Sequence, residues 1–106
     1  MKIEKITVDT FNLKKEGGEY VLYMGVIEKS TTRPFILKIS EVTDSSKVEI
    51  NTTCGCTTAE NKILDKTTLL TTLSYNRCDS VFNKTVEIVD NKRKTILKIK
   101  GSCQNM

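Results

Sequence analysis

Four cysteines are the residues of this sequence best suited to specific chemistry: Cys54, Cys56, Cys78 and Cys103. Four thiolates can hold a structural zinc ion, but such sites usually contain a Cys-x-x-Cys pair, whereas a single glycine separates Cys54 from Cys56. A disulfide between Cys78 and Cys103 is a second alternative, which requires oxidising conditions. The third alternative, which the sequence favours, is a tight corner with small, partly buried thiols at Cys54 and Cys56.

Catalysis is disfavoured because the sequence contains no histidine. Histidine is the commonest general base and metal ligand in proteins, and serine and cysteine nucleophiles usually depend on it. A glycine-rich phosphate-binding loop is also missing, and the acidic residues lie mostly in predicted turns or alternate with lysines. We therefore predict that the protein is not an enzyme and has no catalytic residues.

A basic cluster near the end of the sequence is the main candidate for a partner contact: Lys92, Arg93, Lys94, Lys98 and Lys100. The two-residue period of a strand places Lys94, Lys98 and Lys100 on one face of the last predicted strand. Solvation or protection of a sheet edge is the ordinary role of such lysines, and contact with an acidic protein surface is the functional alternative. Nucleic-acid binding is disfavoured, because the cluster lacks interleaved aromatic residues and the net charge is only +4.

The elements that would position these residues are β-strands. The chain has 106 residues, which corresponds to one domain over 1–106, and it is rich in Thr, Ile and Val. Alternating apolar and polar residues predict strands at 3–10, 19–28, 35–42, 47–52, 67–75, 81–89 and 94–100. The segment 58–66 is predicted to be a polar loop in which Ile63 and Leu64 cover the core. Such a pattern is typical of an all-β sandwich.

The second predicted strand is apolar on both of its faces. One face is predicted to carry Tyr20, Leu22, Met24 and Val26. The other face is predicted to carry Val21, Tyr23 and Ile27. Apolar residues on both faces indicate a strand in the middle of a sheet, or a strand whose outer face meets a partner.

The expected strand order also counts against a zinc site. If every strand reverses the direction of the one before it, Cys54 and Cys56 follow the fourth strand at one end of the molecule. Cys78 and Cys103 follow the fifth and seventh strands and lie at the opposite end, so one ion cannot reach all four thiols. We therefore predict neither a metal site nor a bound cofactor.

Two motifs carry a resemblance to a known family. The first is Cys54-Gly55-Cys56-Thr57, and the second is Phe82-Asn83-Lys84-Thr85, which leads to a last strand that ends at Gly101. An aromatic residue followed by a Lys-Glu-Gly turn, at 11–17, accompanies them. These motifs resemble a family of bacterial immunoglobulin-like domains of unknown function. The resemblance implies a single immunoglobulin-like sandwich of about seven antiparallel strands, a structural role for the motif residues and no catalysis.

The start of the chain lacks the continuous apolar core of a secretory signal, and no segment is long enough to span a membrane. This lack leads us to expect that the chain is made in a cytoplasm and binds no membrane. In this respect the chain departs from the family that the motifs resemble, whose members usually carry a secretory or lipoprotein signal.

These expectations favour a structural protein of a large assembly. Immunoglobulin-like domains are common accessory proteins of phage capsids and tails, and a stand-alone domain rich in Lys, Asn, Ile and Thr fits a phage origin. The leading hypothesis is an accessory, or decoration, protein of a bacteriophage virion that binds a major capsid protein or another virion protein in many copies. Sheet edges and loops would make the contacts. A cytoplasmic adaptor and a cell-envelope protein-binding module are the alternatives.

Overall fold

The computed structural model describes residues 1–7, 11–28, 33–52, 57–75 and 81–104. The described residues form nine β-strands and one turn of 3-10 helix at Ser45–Lys47. The strands are β1 (Lys2–Lys5), β2 (Asn12–Glu16), β3 (Glu19–Glu28), β4 (Arg33–Ser40), β5 (Glu49–Thr52), β6 (Thr57–Asp65), β7 (Thr68–Tyr75), β8 (Val81–Asp90) and β9 (Arg93–Gln104). None of the described residues belongs to a helix long and apolar enough to cross a membrane.

Two sheets form a β-sandwich, which confirms the predicted all-β fold class. One sheet has the order β1-β4-β7-β6 and the other has the order β2-β3-β9-β8-β5. If the β2–β3 hairpin is set aside, these orders match the ABED and GFC sheets of a seven-stranded immunoglobulin domain. The hairpin extends the second sheet, because β3 pairs with β9 in parallel, whereas the other described strand pairs are antiparallel.

The core lies between the two sheets and comes from alternating strand positions. The fully buried apolar side chains are Leu22, Phe35, Leu37, Ile39, Leu69, Leu73, Val86, Ile88, Leu97 and Ile99. Each such side chain contributes about 1.5–3 kcal/mol through its removal from water. The alternation that predicted β3, β4, β7, β8 and β9 therefore has its physical origin in this shared core.

Strand β6 replaces the predicted polar loop at 58–66. It pairs antiparallel with β7 over most of its length, and its side chains after Thr57 are exposed. Ile63 and Leu64 are 52% and 49% exposed, so the prediction that they cover the core is wrong. Backbone pairing to β7, rather than burial of an apolar face, holds this segment extended, and apolar alternation therefore could not reveal it.

Strand β3 lies between β2 and β9, which confirms that it is in the middle of a sheet. A β-bulge follows Tyr23, where Gly25 adopts a φ of +68° and pairs with Gly101. The bulge inserts one extra residue and reverses the alternation beyond it. Val26 therefore points outward and is 67% exposed, whereas Ile27 points into the core and is buried.

The two ends of the sandwich differ. The turn end carries the 3-10 helix and the hairpin turns at 17–18, 66–67 and 91–92. The other end, here called the cysteine end, is where β5, β7 and β9 finish. Cys103 lies at this end, and the ends of β5, β7 and β9, which the prediction divided between opposite ends of the molecule, lie together. Cys54, Cys56 and Cys78 themselves lie outside the described residues. Strand β6, which was not predicted, adds one reversal of chain direction between β5 and β7, and β5 and β7 therefore end on the same side.

Candidate protein-interaction surface

Two residues of the predicted motifs, Phe82 and Gly101, lie directly opposite each other on β8 and β9. Phe82 is buried in the core. A Cβ atom on Gly101 would lie 2.6 Å from Cζ of Phe82 and 2.8 Å from the carbonyl oxygen of Gly25. These separations are too short for any side chain, so Gly101 provides the space that the Phe82 ring occupies.

The other motif residues lie in different environments. Asn83 is exposed on the outer face of β8, and Lys84 and Thr85 are half-buried further along the same strand. Thr57 is buried, and its Oγ1 atom has no hydrogen-bond partner among the described residues. The first three motif residues, Cys54, Gly55 and Cys56, lie outside the described residues.

Cys103 is disulfide-bonded. It lies on β9 opposite Ile27 of β3, at the cysteine end, and its partner cysteine lies outside the described residues. No group of three or more potential metal ligands occurs among the residues that the structure describes. Cys103 is thus in a bridged state, whereas Cys54, Cys56 and Cys78, on which the three alternatives depend, lie outside the described residues.

The basic cluster does not form one patch. Lys92 and Arg93 lie at the β8–β9 turn, whereas Lys98 and Lys100 lie further along β9 with their side chains on its outer face. Because β9 is the central strand of its sheet, the interpretation of these lysines as edge protection is wrong. Lys94 and Lys98 are also neutralised locally, by Glu87 at 3.5 Å and by Glu19 at 3.1 Å.

A cleft of about 490 Å³ at the turn end contains Lys92. Its charged lining is balanced, with the basic residues Lys47, Lys66 and Lys92 and the acidic residues Asp44, Glu49 and Asp90. Asp90 is buried, and both of its carboxylate oxygens accept from the backbone N–H of Thr43, at 3.0 and 3.1 Å. The Asp90 carboxylate therefore ties the β8–β9 turn to the segment after β4, which indicates a structural role for this cleft.

The outer face of the five-stranded sheet brings together side chains from three strands. In one row, Tyr23 of β3 lies opposite Lys100 of β9, which lies opposite Asn83 of β8. In the next row, Val26 and Val81 flank Ser102, and they are 67% and 79% exposed. We call the set Tyr23, Val26, Val81, Asn83 and Lys100 the outer patch. It places exposed apolar groups about 7–8 Å from a lysine, the spacing of diagonal neighbours on adjacent strands.

Tyr23 is held in a fixed orientation in the outer patch. Its hydroxyl donates to Oε2 of Glu16 at 2.7 Å, and this hydrogen bond raises the pKa of Tyr23. The Lys14 ammonium lies 5.9 Å from the centre of the tyrosine ring, within the range of a cation–π contact. These two contacts orient the ring of Tyr23 within the outer patch.

The neighbouring part of the outer face is covered by side chains. Val21 belongs to this face, where it lies opposite Lys14 on one side and Lys98 on the other. It is nevertheless buried, so the side chains around it shield it from solvent. Lys100 differs from Lys98 because no acidic group of the described residues pairs with it. Lys100 is thus a cation of this face that is available to an acidic partner.

Comparison with protein families, with curated proteins and with solved structures finds no match for this chain. The resemblance to bacterial immunoglobulin-like domains therefore rests on the two sequence motifs alone. Together, the fold and the outer patch define a β-sandwich of immunoglobulin-like topology with a mixed apolar and basic surface on one sheet.

Proposed function

We propose that the protein is a non-enzymatic accessory, or decoration, protein of a bacteriophage virion. It binds a major capsid protein, or another virion protein, in many copies. The outer patch makes the central contact, and the adjoining sheet edges and loops complete it. The observation that carries the proposal is the outer patch itself, in which exposed valines lie beside a lysine that pairs with no carboxylate of the described residues.

The composition of the outer patch suits a protein partner. Interfaces between proteins typically combine a buried apolar and aromatic centre with polar groups at the rim. Val26 and Val81 would lose their exposed apolar area on contact. The Tyr23 ring is already oriented by its hydrogen bond to Glu16, so it would add an aromatic group at little entropic cost. Lys100 would require an acidic side chain opposite it. The complementary surface on the partner is therefore apolar with at least one carboxylate.

The disulfide at Cys103 supports a location outside a reducing compartment. Disulfides persist on virions, on cell surfaces and in secreted proteins, and they are rare in the cytosol. A virion protein is made in the host cytoplasm but functions after release. The disulfide thus favours the virion proposal over the cytoplasmic adaptor that the sequence left open.

Sedimentation of a lysate from the native source, with mass spectrometry of each fraction, tests the proposal. We expect this chain to travel with megadalton particles, at a fixed ratio to a major shell protein. A modest affinity of each copy is sufficient, because a repeating shell offers many sites at once. Recovery only in soluble fractions of low mass would contradict the virion proposal.

Charge reversal at Lys100 tests the outer patch directly. When purified variants compete with the natural chain for isolated particles, Lys100→Glu is expected to lower the apparent affinity at least about tenfold, because like charges then face each other. Lys47→Glu makes the same change of charge at the turn end and serves as the matched control, with unchanged affinity expected. Equal affinities of the two variants would show that the contact lies elsewhere.

A protein-binding module of a cell envelope is the second candidate. The same disulfide favours it, since envelope proteins also mature in oxidising surroundings. Recovery of the chain with envelope fractions, instead of with particles that contain a shell protein, would select this candidate.

A further inference from the structure

Strand β6 leaves a long sheet edge without a partner strand. It is the last strand of the order β1-β4-β7-β6, and within the described part of the chain it pairs only with β7. An edge of this kind presents a row of backbone N–H and C=O groups that can pair with another strand. The nine residues of β6 make it the longest edge strand of the described sheets.

The open part of this edge has a defined length. At the turn end, Ser45 closes the edge, because its N–H donates to the carbonyl oxygen of Lys66 at 2.8 Å and its hydroxyl donates to the carbonyl oxygen of Asp65. The register with β7 is irregular between Ile63 and Asp65. The regular, open stretch of β6 therefore runs from about Thr58 to Ile63.

The two faces of this stretch carry different side chains. Ala59, Asn61 and Ile63 lie opposite inward-facing residues of β7, and Asn61 accepts a hydrogen bond from the buried Thr71 hydroxyl at 3.0 Å. Ile63 lies on the core side, opposite the buried Leu69, and is nevertheless half exposed. Glu60 and Lys62 lie on the outer face, two residues apart.

This pattern is complementary to itself. When two copies of β6 pair antiparallel about a two-fold axis at Asn61, Glu60 of each copy lies opposite Lys62 of the other. Ala59 of each copy then lies opposite Ile63 of the other, which covers the exposed isoleucine. A shift of the axis to Glu60 would place two carboxylates face to face, and a shift to Lys62 would do the same with two ammonium groups. Charge therefore favours the register centred on Asn61 over its two neighbouring registers.

We propose that the β6 edge binds the β6 edge of a second copy of this chain in the register centred on Asn61. The two four-stranded sheets then continue into each other across the two-fold axis. The inference goes beyond the proposed function, because self-pairing requires no virion partner. It uses the opposite sheet from the outer patch, so a pair of copies can still present both outer patches.

Sedimentation velocity of the purified chain at concentrations up to about 1 mM, the weak end of the affinity scale, tests the proposal. We expect a monomer at low concentration and a dimer at high concentration. Lys62→Glu and Glu60→Lys should each weaken the dimer by about tenfold, because two attractive pairs become repulsive. The double variant Glu60→Lys/Lys62→Glu carries the same charges in exchanged positions and should restore the natural dimer affinity.

Circular dichroism of each variant establishes that the fold is intact, which is expected since both side chains are exposed. A monomer at every concentration overturns the proposal, as does a dimer that the single variants do not weaken. Failure of the double variant to restore the dimer would also overturn it, because the chosen register requires that exchange to be neutral. The measurement uses the isolated chain alone, so a negative result leaves the particle-binding test of the proposed function unaffected.

Discussion

Gly25 and Gly101 lie opposite each other in the five-stranded sheet, and each site requires glycine for a different reason. At Gly25 the backbone has a φ of +68°, but an added Cβ would meet nothing within 4 Å. At Gly101 the added Cβ would overlap Phe82 and the Gly25 carbonyl oxygen. The first site is restricted by backbone conformation, and the second is restricted by packing.

Alanine substitutions should separate these two causes. Gly25→Ala should lower the free energy of unfolding by about 1–2 kcal/mol, the cost of a left-handed conformation for an L-residue. Gly101→Ala should cost about 1–3 kcal/mol through overpacking. In urea denaturation, Gly25→Asn should be milder than Gly25→Ala, because asparagine tolerates positive φ.

A second substitution tests the packing explanation at Gly101. Phe82→Leu replaces the ring by a smaller side chain, so it should recover part of the stability that Gly101→Ala loses. If the two losses of stability simply add in the double variant, the packing explanation is contradicted.

At the scale of elements, the β8–β9 turn contains a residue that its backbone disfavours. Asn91 and Lys92 have φ values of 47° and 69°, and they join Asp90 to Arg93 in a two-residue hairpin. A hairpin turn with positive φ at both central positions prefers Asn followed by Gly. Lys92 is therefore the less suitable of the two turn residues.

Lys92→Gly should raise the free energy of unfolding by about 0.5–1 kcal/mol, because the relief of left-handed strain exceeds the added entropy of the unfolded chain. Lys94→Gly, the same substitution two residues later in extended backbone, should lower it by about 0.5–1 kcal/mol. Thermal and urea unfolding of both variants measure these changes. A loss of stability in both would contradict the role assigned to the turn.

The elements that could be predicted from the sequence are those that bury one apolar face. Residues such as Leu37 and Ile39 repeat every second position because the core requires them there, and they revealed β4. Strands β2 and β6 bury little, and only their neighbours hold them extended, so no alternation marked them. The outward direction of the Val26 side chain was indicated by Gly25, since a glycine within a strand pattern indicates a bulge, and a bulge exchanges the two faces of a strand.

The candidate surface was predictable only in part. The shared outer face of Lys94, Lys98 and Lys100 follows from strand periodicity and is confirmed. Val81 lies beside Lys100 through the pairing of β8 with β9, two consecutive strands that the sequence predicted. Val26 reaches the same surface through the bulge, which Gly25 indicates, and through the parallel pairing of β3 with β9. That parallel pairing joins segments from opposite halves of the chain, so no local pattern could have revealed it.

At the scale of the whole molecule, the disulfide at Cys103 anchors the last strand to another part of the chain. Its reduction should lower the free energy of unfolding by about 2–4 kcal/mol, because the unfolded chain gains freedom. Cys103→Ser should produce a similar loss without a reducing agent. Thermal unfolding with and without dithiothreitol measures both effects, and an unchanged melting temperature on reduction would contradict a stabilising bridge.

The position of β9 also has a consequence for how the molecule is made. This strand is the last of the described strands to be synthesised, yet it lies at the centre of the five-stranded sheet. Until β9 leaves the ribosome, the β2–β3 hairpin has no strand on which to dock, and β8 lacks its main partner. The four strands of the other sheet are complete much earlier. The nascent chain therefore carries one sheet with an uncovered apolar face, and the sandwich closes only when translation of β9 is finished.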